Sequence, residues 1–126
     1  MEIAKILIAE DDEALLNMIA FKLRGEGFSQ VFHAYDGKRA KRIIFEEKPS
    51  VIITDILMPF ASGLEVISYV REMRLSYDPF IIALSAMNTP QAEAEAYDLG
   101  ANYYLAKPFN LQGLIDQVKQ VIPVTL

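Results

Sequence analysis

Three acids stand in a row at Glu10-Asp11-Asp12, directly after the apolar run "KILIA". A fourth, Asp55, closes the run "VIITD"; Ser85 closes "FIIALS", and Lys107 follows "NYYLA". Taken singly, most of these residues have ordinary roles. Acids after a strand can cap and charge-match the helix that follows, and Asp12 is best placed to do so. Ser85 alone reads as a loop hydroxyl, and Lys107 alone as a solvated lysine. Asp55 resists such a reading. A carboxylate at the end of an apolar strand is half-buried, and buried carboxylates need a partner. Taken together the residues have a shared consequence. Carboxylates ~5 Å apart repel by roughly 3 kcal/mol per pair at an effective dielectric near 20. A hard cation offsets this, and Mg²⁺ favours a few carboxylate oxygens, a carbonyl and waters. Lys107 would add positive charge. Such a site suits a phosphoryl group, with Asp55 as the nucleophile and Ser85 donating a hydrogen bond.

This chemistry requires the residues to meet, so the elements that carry them matter. Five strand candidates are separated by helical patterns: Lys5–Ala9, Val31–Tyr35, Val51–Asp55, Phe80–Ser85 and Asn102–Ala106. Between them, apolar residues recur at helical spacing. Leu15, Ile19 and Leu23 share one face; Ala40, Ile43 and Ile44 a second; Ile67, Val70 and Arg74 a third. Ala92, Ala96 and Leu99 mark a weaker stripe, and Leu111, Leu114, Ile115, Val118 and Ile122 a strong one. Ser62-Gly63-Leu64-Glu65 has the capping-box pattern, and Thr89-Pro90 sets an N-cap before a first-turn proline. Gly25 and Gly27, Gly100 and Pro123 supply stops.

Strand–helix alternation implies an α/β fold: a doubly wound parallel sheet with helices on both faces. The first, third and fourth strands are almost wholly apolar and suit the centre, which gives the flavodoxin-like order 2-1-3-4-5. The topological switch then lies beside the first and third strands. Ligands of such sheets bind there, at the carboxyl ends. Every residue in the opening paragraph sits at such an end.

Composition bounds the reading. The chain of 126 residues is expected to be a single domain over 1–126, with 52% hydrophobic residues for a core. It has no cysteine, which removes disulfides and thiolate metal sites. A net charge of -5 argues against direct binding to nucleic acid. No apolar stretch suits a membrane span and no signal-peptide pattern opens the chain, so a cytoplasmic setting is expected.

The ordered set "ILIAEDD", "VIITDILMP" followed by Gly63, "ALSA" and "GANYYLAKPF" resembles the receiver domain of two-component response regulators, including the chemotaxis regulator. The resemblance covers nearly the whole chain. It implies that Asp55 is the phosphoacceptor and that a histidine kinase or phosphotransfer protein is the donor. It implies Mg²⁺ as cofactor, met by Asp11 and Asp55, by Glu10 through water, and by the backbone carbonyl of Leu57. Ser85 matches the family's hydroxyl, Lys107 its lysine and Tyr104 its aromatic switch position. The Lys107-Pro108 bond is expected to be cis. Ser85 would move toward the phosphoryl group and Tyr104 would fill the vacated space from outside. The surface of the fourth helix, fifth strand and fifth helix would then change for an output domain or partner, with homodimerisation on phosphorylation a further option. The domain would catalyse only its own phosphorylation and dephosphorylation. Leu57 and Met87 are apolar where relatives often carry polar side chains that tune phosphoryl loss, so slow-to-moderate decay is expected. Ser62 stands where an aspartate is frequent.

The same sequence bears on four other readings. A Mg²⁺-dependent aspartyl-phosphate phosphatase of the haloacid-dehalogenase type needs a second acid two residues after the nucleophile, where this chain has Leu57. A flavodoxin-like FMN carrier needs a hydroxyl- and glycine-rich phosphate loop, where this chain has "AEDDEALL". A degenerate receiver, acting as a constitutive interaction module, would not need the full set of acceptor residues. A phosphohistidine transfer protein would need an exposed helical histidine, and the single histidine, His33, falls in a strand.

Overall fold

The apolar runs form the strands of one sheet. The structure is a computed structural model that describes residues 4–58, 60–74 and 76–122. Strands β1 (Lys5–Ala9), β2 (Gln30–Ala34), β3 (Val51–Asp55), β4 (Phe80–Ser85) and β5 (Tyr103–Ala106) alternate with α1 (Glu13–Gly25), α2 (Gly37–Glu47), α3 (Gly63–Arg71), α4 (Pro90–Leu99) and α5 (Leu111–Val121). Every ladder is parallel and the order is β2-β1-β3-β4-β5. This is the architecture expected from the sequence.

Side-chain alternation along the strands makes two cores. Ile6, Ile8, Val51, Ile53, Ile82 and Leu84 pack with α1 and α5 on one face. Leu7, Ala9, Ile52, Ile81, Ala83 and Tyr104 pack with α2, α3 and α4 on the other. With both faces covered, the central strands must be apolar on both sides, and β3 is buried along its whole length.

Local signals place the helix ends. Side-chain oxygens of Asp12, Asp36, Ser62, Thr89 and Asn110 each accept a backbone N–H in the first turn of the helix that follows. Gly100 ends α4 at φ 122, a backbone conformation that suits glycine.

The structure departs from the sequence reading at the edges. β2 starts at Gln30 and stops at Ala34, because the β1 ladder pairs Lys5 with Gln30 and Ala9 with Ala34. β5 starts at Tyr103, because the Asn102 side chain accepts the Ile81 N–H and an Arg71 N–H just before the ladder begins. In α1 it is Leu16, rather than Leu15, that is fully buried beside Ile19 and Leu23. α3 stops at Arg71, so Arg74 lies beyond the helix and is exposed. Pro123 lies outside the described residues.

Candidate functional site

Three strands deliver the charged groups to one rim. Glu10 follows β1, Asp55 ends β3 and Lys107 follows β5. All three continue the alternation of the α1/α5 face of the sheet. Lys107 Nζ donates to Glu10 Oε1 at 2.6 Å and to Asp55 Oδ2 at 2.8 Å. The second Glu10 oxygen accepts the Asp12 N–H at 3.0 Å, and Asp55 Oδ1 accepts a long bond of 3.3 Å from the Leu57 N–H. Glu10 is fully buried and Asp55 is 5% exposed, whereas Asp11 is exposed. Carboxylate oxygens of Glu10, Asp11 and Asp55 all lie within 4.8 Å of one another.

Electrostatics follow from this packing. Burial pushes the Glu10 carboxyl up to about 7, and the nearby Asp55 charge adds to the effect. Its bonds from Lys107 and the Asp12 N–H pull the other way without reversing it. For Lys107, burial works downward, but bonds and charges from Asp55 and Glu10 outweigh it and hold the ammonium above its ordinary range. One cation thus serves two buried carboxylates, with a third acid at the mouth. Hard oxygen donors in that number suit a divalent cation such as Mg²⁺. The acids that would hold it are Glu10, Asp11 and Asp55.

Ser85 and Tyr104 lie on the other face. Ser85 is fully buried, and its Oγ accepts the Met87 N–H at 2.9 Å. The Tyr104 hydroxyl donates to the Met87 carbonyl. Met87 therefore joins the two through its backbone, a link that side-chain chemistry does not advertise. Tyr104 is only 9% exposed, so its ring already occupies the interior instead of waiting outside. Tyr103 packs in the opposite core, as alternation requires. The Lys107-Pro108 peptide is cis.

One further residue shapes the site. A Cβ on Gly63 would stand 2.0 Å from the Asp55 carbonyl oxygen and 2.7 Å from Ile56 Cα. Gly63 also donates its N–H to the Ile56 carbonyl at 2.8 Å, so the loop after β3 returns to its own start. The capping-box pattern located Gly63 but did not show this close approach. Arg71, which the sequence reading did not single out, ends α3 and serves the opposite rim of the sheet. It donates to the Gly100 carbonyl through Nε at 2.9 Å and Nη2 at 2.8 Å, and to Asp78 at 2.6 Å. His33 Nε2 accepts from Arg24 Nη2 at 3.1 Å on the edge strand, away from the acids.

Sequence comparison agrees with this geometry. Residues 6–119 match the response regulator receiver domain. The receiver domain of the Francisella response regulator 1452 is 30% identical, with a TM-score of 0.87 over 94% of this chain and 95% of that one. The chemotaxis response regulator CheY4 of Vibrio cholerae is 29% identical, with a TM-score of 0.86 over 96% of this chain and 100% of that one. A LuxR-family DNA-binding response regulator from Staphylococcus aureus is 25% identical, with a TM-score of 0.84 over 94% and 98%. The chain belongs to the receiver-domain family of two-component response regulators.

Proposed function

We propose that the chain acts as one receiver domain and takes a phosphoryl group onto Asp55 from the phosphohistidine of a kinase or phosphotransfer protein. The observation that carries this is the asymmetry of the Asp55 carboxylate. Lys107 holds Oδ2 at 2.8 Å, while Oδ1 receives only the 3.3 Å bond from Leu57. Oδ1 is thus the freer nucleophile. Its bond to phosphorus forms as the phosphorus–nitrogen bond breaks, and that electron pair stays on the departing imidazole. Lys107 sits within reach of the charge that develops.

Glu10, Asp11 and Asp55 would hold Mg²⁺, with the Leu57 carbonyl as a further ligand. When bound, the ion neutralises oxygens of the transferring group. Ser85, whose Oγ already accepts from Met87, keeps its proton free to donate to a phosphoryl oxygen. Withdrawing Ser85 toward that oxygen loosens its bond to Met87, whose carbonyl also anchors Tyr104. The α4–β5–α5 surface would change through that junction and so control an output domain or partner, with homodimerisation one form of that output. The inward Tyr104 ring supports a shift between populated states rather than a new fold. Among the described residues no helix is long and apolar enough to cross a membrane, in keeping with cytoplasmic work. The domain would turn over only its own acyl phosphate.

The test is incubation with Mg²⁺ and acetyl phosphate, read by intact-protein mass spectrometry. The expected result is one base-labile phosphoryl adduct in the wild type and none in Asp55→Asn. An adduct that persists in Asp55→Asn would overturn the assignment. Leu57 and Met87 are 55% and 45% exposed and offer no side-chain hydrogen bond to an attacking water. Adduct decay over minutes or longer is expected, and decay within seconds would contradict this part.

A further inference from the structure

Two non-glycine residues among those described have positive φ: Lys48 at 45° and Phe60 at 67°. This left-handed region is uncommon for any L residue and an outlier for a bulky one. Lys48 has a local reason. It caps α2, its N–H donates to the Ile44 carbonyl and its ammonium donates to the Phe45 carbonyl. For Phe60, none of the hydrogen bonds among the described residues involves it, and its ring is 85% exposed. The chain thus holds a bulky residue in a disfavoured conformation and presents the ring to solvent. Such strain tends to gather at functional positions.

The place of that ring is fixed by the site. Phe60 lies in the loop between Asp55 and the Ser62 cap of α3, and both loop ends are pinned. Leu57 N–H reaches Asp55 Oδ1 at 3.3 Å, and Gly63 N–H reaches the Ile56 carbonyl at 2.8 Å. Leu57 is 55% exposed in the same loop. Met87, 45% exposed, follows the neighbouring strand, where Asp55 pairs with Leu84. Asp55 is 5% exposed and ends the strand from which the Phe60 loop departs, so the three exposed apolar residues belong to the loops that leave β3 and β4 at the acid rim. A small phosphoryl donor needs no such surface. A protein donor that reaches Asp55 covers the rim from which these loops depart.

We propose that Phe60, flanked by Leu57 and Met87, is the apolar anchor for the protein that donates the phosphoryl group, and that it separates protein donors from small ones. The proposal rests on Asp55 being the acceptor. Its partner chemistry is a folded surface that carries a phosphohistidine and offers apolar side chains around it. Exposed aromatic residues beside a recessed reactive group have the character of interface hot spots.

The experiment compares two donors on the wild type, Phe60→Gly and Phe60→Tyr. One donor is acetyl phosphate with Mg²⁺. The other is the histidine kinase that labels the wild type fastest, chosen from a panel of purified kinases from the source organism. Phe60→Gly should keep acetyl phosphate labelling within about twofold while kcat/KM for the kinase falls about tenfold or more. Phe60→Tyr should keep most of the kinase rate. Equal rates with the kinase for wild type and Phe60→Gly, or an equal fall with both donors, would overturn the proposal. So would a panel in which no kinase labels a wild type that acetyl phosphate does label. If neither donor labels Asp55 in the wild type, the acceptor reading itself fails.

Discussion

Helices α4 and α5 flank the same strand, β5, and are nearly equal in length, yet they are held very differently. α5 buries Leu114, Ile115 and Val118 completely among α1 and the β-sheet. α4 buries only Ala96. Each large side chain taken fully from water is worth roughly 1.5–3 kcal/mol, so α5 is anchored by several times what holds α4. The ends of α4 also differ. Arg71 grips the Gly100 carbonyl with two N–H groups at the C-terminal end. The N-terminal end has the Thr89 cap and follows Met87, the residue that joins Ser85 to Tyr104. A rigid helix and a loosely held one therefore meet at the strand beside the acid cluster. The loosely held one is tied by the Thr89 cap and the Met87 backbone at the end where the Ser85 hydroxyl connects.

This contrast can be broken by mutation. Leu114→Ala should cost about 2–5 kcal/mol in denaturant unfolding. Ala96→Gly, which removes the single fully buried α4 side chain, should cost about 1 kcal/mol. Equal losses would mean that α4 is as firmly built as α5. Arg71→Met should cost about 1–3 kcal/mol, because it removes hydrogen bonds from a charged group to the half-buried Gly100 carbonyl and the exposed Asn102 side chain. Its amide hydrogen exchange should quicken at 96–101, with α5 unchanged.

Much of the contrast was legible in the sequence. The α5 stripe of Leu114, Ile115 and Val118 is strong, and the alanine-rich α4 stripe is weak, so relative burial could be read from residue size and spacing. The bounds of β1, β3 and β4 follow from apolar runs closed by polar residues. The edges did not, because the register of β2 is set by its partner β1 and the start of β5 by the Asn102 side chain. At the site, the acids and the lysine could be grouped, since the parallel topology sends strand ends to one rim. The link from Ser85 to Tyr104 could not, because it runs through the Met87 backbone. Nor could the Arg71 grip on Gly100 or the strain at Phe60, which are properties of backbone geometry and long-range contact.

The acids continue the sheet face that packs α1 and α5. Glu10 has its carboxyl raised from 4.5 to about 7, so it takes up its proton as the pH falls through neutrality. Mg²⁺ requires the ionised form. Mg²⁺ affinity should therefore be about tenfold lower at pH 6 than at pH 8, measured by calorimetry. In Glu10→Gln that ratio should shrink toward one. A wild type with equal affinity at both pH values would show that Glu10 is ionised throughout. The smallest effect is expected for Tyr104→Phe. It removes the bond to the Met87 carbonyl and should cost about 0.5–1.5 kcal/mol, with faster exchange at the N-terminal end of α4 and none at its Arg71-held end.

The most direct measurement is amide hydrogen exchange with Mg²⁺ and beryllium fluoride, a mimic of the phosphoryl group. Exchange should change at Met87–Thr89 and in the first turns of α4, and remain unchanged at Leu114, Ile115 and Val118. Asp55→Asn should show no response. A response spread evenly over α4 and α5, or one that survives in Asp55→Asn, would contradict the account.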